Sequence, residues 1–231
     1  MSRRIRKHAN PFNVQTVVGQ LDRMATFGRE APIEVDIGCG EGGFLFERAA
    51  NHPDVDFVGF EVRKPLVEMA NAKVQEAGVT NLVYLYANAN VNLHFVAPGV
   101  VRRFFVQFPD PCFKKRHQKR RILQPQLVRD MAELLPIGGE VYAQSDVKPL
   151  AEEMYVFLAQ DDAFDSKLGE DLLVPRPIPE LTEWERHHDR EAEPVYRMLF
   201  TKVREPSGDV QKPEFRDTDP KRLAELEASG G

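Results

Sequence analysis

A glycine-rich segment with acidic side chains is the first part of the chain that could carry chemistry. Four glycines fall within six residues, from Gly38 to Gly43, directly after a short apolar run. Asp36 precedes the first glycine, and Glu41 lies inside the segment. Glycine lets the backbone turn sharply and approach a ligand closely, and a tight turn alone does not need four of them. The segment is therefore predicted to bind a small molecule.

The charge of this segment distinguishes between two ligands. The glycine spacing, with Glu61 at the end of the next apolar run, fits a loop that binds a nicotinamide dinucleotide. However, the carboxylates of Asp36 and Glu41 would repel a pyrophosphate. S-adenosylmethionine has no phosphate and carries an ammonium and a sulfonium, so the acidic loop favours that cofactor. Glu61 would then accept hydrogen bonds from both ribose hydroxyls.

A second chemical feature is a carboxylate between two prolines. Asp110 lies between Pro109 and Pro111, directly after a predicted strand. The prolines fix the backbone and remove two amide donors, which would aim the carboxylate at the sheet edge where ligands bind. A loop cap is the alternative role. We expect Asp110 to act at the catalytic edge.

A strongly basic segment follows Asp110 closely in the sequence. Residues 114–121 contain no acidic residue and six basic ones, which are Lys114, Lys115, Arg116, Lys119, Arg120 and Arg121. Residues 1–7 carry a further +4, and since the whole chain carries −5, the remainder carries −15. An acidic body with two basic segments can hold a phosphate backbone locally, although a solvated surface is the alternative. The arrangement indicates chemistry on RNA, with the basic side chains on its backbone.

The composition sets further limits. The chain has 231 residues, of which 42% are hydrophobic, and this suits one α/β domain. It contains no run of 18 apolar residues, so a membrane span is not expected, and the basic N-terminus lacks the apolar core of a secretory signal. Cys39 and Cys112 lie far apart, and no metal-binding spacing of Cys or His occurs. We predict no metal site and a cytoplasmic location.

Alternating strands and helices must position these features. The predicted strands are 33–38, 56–61, 81–87, 102–108, 140–145, 164–173 and 196–203. The predicted helices are 41–50, 65–78, 123–135 and 149–160. This order predicts a doubly wound α/β fold, with a mostly parallel seven-stranded sheet and helices on both faces. We divide the chain into a basic N-terminal extension (1–30), one domain (31–203) and a polar tail (204–231). The tail is expected to be mostly disordered, with a frayed helix over 219–228.

The motifs together resemble one enzyme family. Phe-Pro-Asp-Pro at 108–111, followed by the basic residues of 114–121, is similar to the central signature of the bacterial tRNA (guanine-N7)-methyltransferases. Two further elements of that family resemble Gln-Ser-Asp at 144–146 and Thr-Glu-Trp-Glu at 182–185. The resemblance covers about residues 31–203. It implies a Rossmann-like class I methyltransferase that acts on tRNA.

The resemblance assigns roles to particular residues. On S-adenosylmethionine it places Asp36, Gly38, Gly40, Glu61, Asn88 and Asp110. On the substrate it places Lys114, Asp146, Thr182, Glu183, Trp184 and Glu185. The implied reaction is methylation of N7 of guanine 46 in the variable loop of tRNA. We expect a monomer or a homodimer.

Three positions depart from the family pattern. Asp36 stands where a glutamate is usual, Asn88 where an aspartate is usual, and Cys112 where a tryptophan often follows. Asparagine offers the adenine amine one acceptor, but it also carries a donor that the amine cannot use. Because charge-assisted hydrogen bonds are stronger than neutral ones, we expect Asn88 to bind the cofactor more weakly than an aspartate would.

The implied chemistry needs alignment and charge rather than a base. Guanine N7 has a free lone pair and no proton, so the enzyme must align it with the methyl group. The guanine becomes cationic during transfer, and a carboxylate can stabilise that charge. We expect Asp110 in this role, with Asp146 or Glu185 gripping the guanine edge; a helix N-cap is an equal alternative for Asp146. His187 and His188 are expected at the surface.

Two other functions stay open from the residues alone. One is a methyltransferase for a small molecule or a protein, which the basic segment disfavours. The other is a non-catalytic RNA-binding protein with a relic cofactor pocket. Asn88 and Cys112 would allow the second, whereas Asp36, Glu61 and Asp110 count against it.

Overall fold

One seven-stranded sheet organises the protein. A computed structural model describes residues 10–191 and 193–229, apart from the side chains of 226–229, so the basic residues of 1–7 lie outside it. The strands are β1 (Ile33–Ile37), β2 (Asp56–Glu61), β3 (Leu82–Tyr86), β4 (Val101–Gln107), β5 (Glu140–Ser145), β6 (Phe164–Ser166) and β7 (Tyr196–Lys202). Their order is β3-β2-β1-β4-β5-β7-β6, and all pairs are parallel except the two that involve β7. The predicted mostly parallel, doubly wound sheet is confirmed.

Helices connect the strands. They are α1 (Arg23–Phe27), α2 (Gly43–Asn51), α3 (Lys64–Glu76), α4 (Ala89–Asn92), α5 (Pro125–Leu134), α6 (Lys148–Ala159), α7 (Glu183–Glu191) and α8 (Pro220–Ser229). The four predicted helices match α2, α3, α5 and α6 within two residues at each end. The prediction missed α1 and α4, which are short, and α7, which has a polar sequence with little apolar periodicity. Of the helices described, none has the length and apolar character needed to cross a membrane.

The predicted strand 164–173 is wrong beyond Ser166. β6 ends at Ser166, whose hydroxyl donates to the carbonyl of Gly169 at 2.8 Å. Gly169 has a φ of 76°, which is a left-handed conformation that turns the chain. The strand therefore ends at a local turn that its apolar residues do not reveal.

The sheet is buried on both faces, as a parallel sheet covered by helices must be. Every residue of β1, β2 and β5 is buried. Successive side chains of a strand point to opposite faces, so Phe104 of β4 packs in one core and Phe105 in the other. The first core includes α5 and α6, and the second includes α2 and α3. The loops at the strand ends thus stand on a rigid platform.

The segment after β7 differs from the expectation of a mostly disordered tail. Phe215 packs its ring against Phe157 of α6, with 6.3 Å between the ring centroids. Thr218 is 1% exposed. The predicted frayed helix over 219–228 corresponds to α8. A few anchoring residues bring this segment onto the domain, and its composition does not reveal them.

Candidate functional site

A cavity of about 1240 Å³ opens at the carboxyl ends of β1 and β4. The strand order reverses between these neighbours, and ligands of open α/β sheets bind at such a point. Of the residues predicted for the site, the cavity is lined by Asp36, Gly38, Gly40, Glu61, Asp110, Lys114, Arg120, Thr182, Glu183 and Trp184. The predicted residues outside its lining are Asn88, Lys115, Arg116, Lys119, Arg121, Asp146 and Glu185.

The loop between β1 and α2 depends on glycine. Gly38, Gly40 and Gly42 have φ values of 83°, 61° and 79°, which other residues adopt only with strain. At Gly42 a Cβ atom would also lie 2.5 Å from the Tyr84 ring. The Tyr84 hydroxyl donates to the Gly42 carbonyl at 2.5 Å and holds the loop in place. The loop can therefore approach a ligand closely with its backbone.

Glu61 at the end of β2 is held by the loop and by a neighbouring arginine. Its Oε2 accepts the Gly40 N–H at 3.0 Å. The Arg63 guanidinium donates to both carboxylate oxygens, at 3.0 and 3.1 Å. The hydrogen bonds to Glu61 raise the pKa of the Arg63 guanidinium. Arg63 was not predicted for the site. Its position two residues after Glu61 could have suggested that it pairs with that carboxylate.

Two neighbouring residues of the cavity wall, Asp36 and Gln107, each have a buried polar atom that lacks a well-formed hydrogen bond. Neither Asp36 Oδ1 nor Gln107 Nε2 has a hydrogen bond of normal geometry among the described residues. Burial, with a smaller contribution from the Glu61 carboxylate, raises the pKa of Asp36 to about 7 against the lowering effect of the Gln107 amide. Buried polar atoms need partners. An ammonium on Asp36 and a carboxylate on Gln107 would satisfy both, and the amino-acid end of S-adenosylmethionine has these two groups.

Gln107 was not predicted for the site. It is the last residue of β4 and comes directly before Phe-Pro-Asp-Pro. Its carbonyl oxygen accepts the Gln144 amide at 2.9 Å, which turns the Gln107 amide away from Gln144. A polar residue at the end of a buried apolar strand was the signal that could have identified it.

The loop after β4 is strained on both sides of Asp110. Phe108 and Cys112 both have a φ of 48°, which is rare for residues other than glycine. Asp110 Oδ1 accepts the Cys112 N–H at 2.9 Å and closes a tight turn. Burial and the Asp110 charge raise the pKa of the Cys112 thiol to about 11, so it stays protonated. Strain of this kind occurs where the surroundings hold a functional loop in one geometry.

The basic segment forms a 3-10 helix over Lys115–Arg120. Lys114, Lys115, Arg116 and Lys119 are exposed, as contacts with phosphates require. Lys114, His117 and Arg120 also line the cavity, so the basic surface continues to its mouth.

Arg121 contradicts its predicted role on the RNA backbone. It is 2% exposed, and its guanidinium contacts Glu153 of α6 at 2.5 Å. It also donates to the Pro111 carbonyl at 2.9 Å. A buried ion pair occupies both charges, so Arg121 cannot serve a phosphate. Glu153 lies 32 residues away in the chain, and local spacing could not reveal this pairing.

Asp146 supports Trp184 and does not line the cavity. Trp184 donates its indole N–H to Asp146 Oδ2 at 2.9 Å, and His188 Nε2 lies 3.2 Å from the same oxygen. His188 is 4% exposed and stacks on Phe108, with 5.9 Å between the ring centroids. The expectation of a surface residue is wrong for His188. One helical turn separates it from Trp184, which places both on the inner face of α7.

Glu185 differs from its expected role as a guanine acceptor. It is 1% exposed, and its carboxylate accepts from Arg176, Arg197 and Gln144 at 2.9 to 3.0 Å. Thr182 accepts the Glu185 N–H at 3.0 Å and caps α7. These contacts order the start of α7, while the adjacent Glu183 and Trp184 line the cavity.

Asn88 is used inside the protein and does not line the cavity. Its side-chain amide donates to the Pro11 carbonyl at 3.1 Å, and its side-chain oxygen accepts the Asn90 N–H at 3.1 Å. Asn10 and Pro11 line the cavity instead. The prediction that Asn88 contacts adenine is therefore corrected, because its amide donor holds the N-terminal segment.

One surface group outside the cavity has the residue types of a metal site. Ligand atoms of His94, Asp130 and Glu133 lie within 4.8 Å of one another. Asp130 also accepts a hydrogen bond from Gln126 at 2.8 Å. The group is open to solvent and carries no functional assignment.

Comparison with known proteins finds a matching family model and several relatives. Residues 30–198 match a family model described as "Putative methyltransferase". The tRNA (guanine-N(7)-)-methyltransferase of Synechococcus elongatus is 40% identical over 211 residues, which cover 88% of this chain and 98% of that protein. A protein of the same name from a Synechocystis species is 40% identical over 206 residues, covering 87% and 98%. A third, from another Synechococcus species, is 44% identical and covers 80% of each chain.

Solved structures with low sequence identity share the fold. The 16S rRNA methyltransferase KamB is 17% identical, with a TM-score of 0.57, and the match covers 81% of this chain and 99% of that chain. Geranyl diphosphate C-methyltransferase from Streptomyces coelicolor, solved with S-adenosyl-L-homocysteine, is 13% identical, with a TM-score of 0.52 and 78% of each chain covered. The predicted Rossmann-like class I methyltransferase fold is confirmed.

Proposed function

The chain belongs to the tRNA (guanine-N7)-methyltransferase family, and from this we propose that it methylates N7 of a guanine in tRNA with S-adenosylmethionine as methyl donor. Relatives about 40% identical over most of both chains carry that name. The finer proposal is that the target is guanine 46 of the variable loop. A cytoplasmic location and a monomeric or homodimeric state are part of the same proposal.

The observation that carries this proposal is the meeting of three elements at one cavity. The acidic glycine loop, the strained loop around Asp110 and the exposed basic segment all border it. Asp36 and Gln107 would hold the amino-acid end of the cofactor, and Glu61 the ribose hydroxyls. The bound cofactor supplies a methyl group on a cationic sulfur.

The chain's own residues then align the guanine and stabilise its charge. The Asp110 carboxylate lies at the cavity and would favour the cationic methylated base. No general base is needed, since N7 carries no proton. Phe113 lines the cavity with 39% of its surface exposed, and it is our candidate for stacking on the guanine. It directly follows Cys112, the position where relatives often have a tryptophan.

A methylation assay tests the proposal. The protein is incubated with labelled S-adenosylmethionine and an unmodified tRNA transcript that has guanine at position 46. Nucleoside analysis by mass spectrometry is expected to find one 7-methylguanosine per tRNA. A matched transcript with adenine at position 46 is expected to accept no label. Methylation of the second transcript would overturn the position, and methylation of neither would overturn the activity.

A further inference from the structure

The strained loop around Asp110 is held from outside by the C-terminal segment. Thr218 donates its hydroxyl to the Pro111 carbonyl at 3.2 Å. Arg222 donates to the Phe113 carbonyl at 3.0 Å. These two carbonyls lie on either side of Cys112, whose φ is 48°. Residues 215–222, named here the C-terminal clasp, therefore contact the loop at its most strained point.

Arg121 joins the clasp to the loop and to the domain. Its buried guanidinium donates to the Thr218 hydroxyl at 2.7 Å and to the Arg216 carbonyl at 3.0 Å. The same group donates to the Pro111 carbonyl and pairs with Glu153 of α6. A planar guanidinium with several donors can fix all of these groups in one geometry.

The clasp also has its own anchors on the domain. The Phe215 ring packs against Phe157 of α6, and the Arg216 N–H donates to the Glu153 carboxylate. Gln118 of the 3-10 helix donates to the Arg216 carbonyl at 3.0 Å. The clasp therefore connects α6 to the basic segment as well as to the Asp110 loop.

We propose that the C-terminal clasp positions the Asp110 loop for methyl transfer, with Thr218 and Arg222 as positioning residues. This inference rests on the proposed function. A non-glycine residue at positive φ persists only when its surroundings hold it there, and the clasp supplies those contacts. The family model ends at residue 198, so the clasp lies beyond the part of the chain that it matches.

Under this proposal, the clasp affects the turnover number but not the affinity for the cofactor. The clasp contacts the Asp110 loop and the basic segment. None of these hydrogen bonds involves the glycine loop between β1 and α2. Loosening the clasp should therefore lower the turnover number while cofactor affinity stays unchanged. A purely structural role would lower thermal stability without this separation.

The test compares Thr218→Val with Thr218→Ser in the full chain. Valine keeps the shape of threonine but removes the hydroxyl between Arg121 and Pro111, whereas serine keeps that hydroxyl. Amide hydrogen exchange is measured in peptides spanning 110–121 and 36–43, beside turnover with tRNA and calorimetric cofactor affinity. Lys221→Ala, an exposed neighbour in the clasp, is the matched control.

Thr218→Val is expected to exchange faster over 110–121 by about fivefold, the effect of one hydrogen bond, with 36–43 unchanged. Turnover should fall by a similar factor, serine should restore it, and Lys221→Ala should match the wild type. Unchanged exchange over 110–121 in a folded Thr218→Val protein would overturn the proposal, and so would faster exchange with full turnover. If the wild type methylates no tRNA, the proposed function fails, and the exchange data still decide whether the clasp holds the loop.

Discussion

Asn88 donates its side-chain amide to the Pro11 carbonyl at 3.1 Å, across 77 residues of chain. Asn92, one turn later, donates to the Thr16 carbonyl at 2.8 Å and accepts the Val18 N–H at 2.5 Å. Two asparagines thus hold the N-terminal segment, whose Pro11 lines the cavity. The asparagine that departs from the family pattern stabilises a wall of the site.

Replacement of Asn88 by aspartate is expected to weaken cofactor binding, opposite to the expectation from the sequence. A carboxylate cannot donate to the Pro11 carbonyl and would lie against its oxygen. The free energy of unfolding should fall by about 1–3 kcal/mol, the range for a buried group left without a partner. Calorimetric titration and denaturant unfolding measure both effects. Asn90→Asp, an exposed change of the same charge, is the control. Equal or tighter cofactor binding by Asn88→Asp would contradict this role.

Asp110→Asn is expected to lower turnover by about 10²–10³-fold, as for loss of one group that stabilises transition-state charge. The asparagine side-chain oxygen can still accept the Cys112 N–H, so the turn is kept and only the charge is lost. Cofactor affinity should change little. Single-turnover kinetics with saturating cofactor provides the measurement. An asparagine variant with near wild-type turnover would show that Asp110 acts through loop geometry alone.

The basic segment should divide into residues that bind RNA and one that stabilises the fold. Lys115→Ala and Lys119→Ala are each expected to reduce the slope of log affinity against log salt by roughly 0.7–0.9, one phosphate contact each. Lys212→Ala, an exposed lysine outside the segment, should leave the slope unchanged. Filter binding of tRNA at several salt concentrations gives these slopes. If all three variants had the wild-type slope, the segment would be an ordinary solvated surface.

Arg121→Ala is expected to destabilise the protein instead. It leaves Glu153 buried without its partner, and breaking a buried pair in this way costs about 3–5 kcal/mol. Denaturant unfolding measures the loss. Wild-type stability of this variant, together with a smaller slope of log tRNA affinity against log salt, would show that Arg121 contacts the RNA backbone.

Cofactor binding should depend on pH through Asp36. Its pKa is raised from 3.8 to about 7 in the folded protein. The unfolded carboxyl loses its proton at lower pH, so this group's contribution to stability falls as the pH rises from about 4 to about 7. A cationic ligand needs the ionised form, so its affinity should fall by up to about tenfold per pH unit below 7. Calorimetry from pH 5.5 to 7.5 tests this, with Asp36→Asn expected to bind weakly at every pH. Constant wild-type affinity across that range would exclude Asp36 as the partner of the ammonium.

Local signals in the sequence were enough for the sheet and for the loops at its edge. Short apolar runs predicted six of the seven strands to within two residues at each end. The glycines at 38, 40 and 42 have the positive φ values that the loop between β1 and α2 requires. The prolines beside Asp110 indicated a rigid loop at the carboxyl end of β4. These features depend on residues next to one another in the chain, and so the sequence shows them directly.

Only the tertiary structure decided which side chains are free to act. Arg121, Glu185 and His188 belong to a basic run, a family motif and a polar helix, yet each is buried among partners from distant elements. Gln107 belongs to no motif that we recognised, yet the fold places it in the cavity wall beside Asp36. Charge and polarity are properties of a residue, whereas their availability depends on which groups the fold places within about 3 Å. Those groups come from elsewhere in the chain, so spacing alone could not identify them.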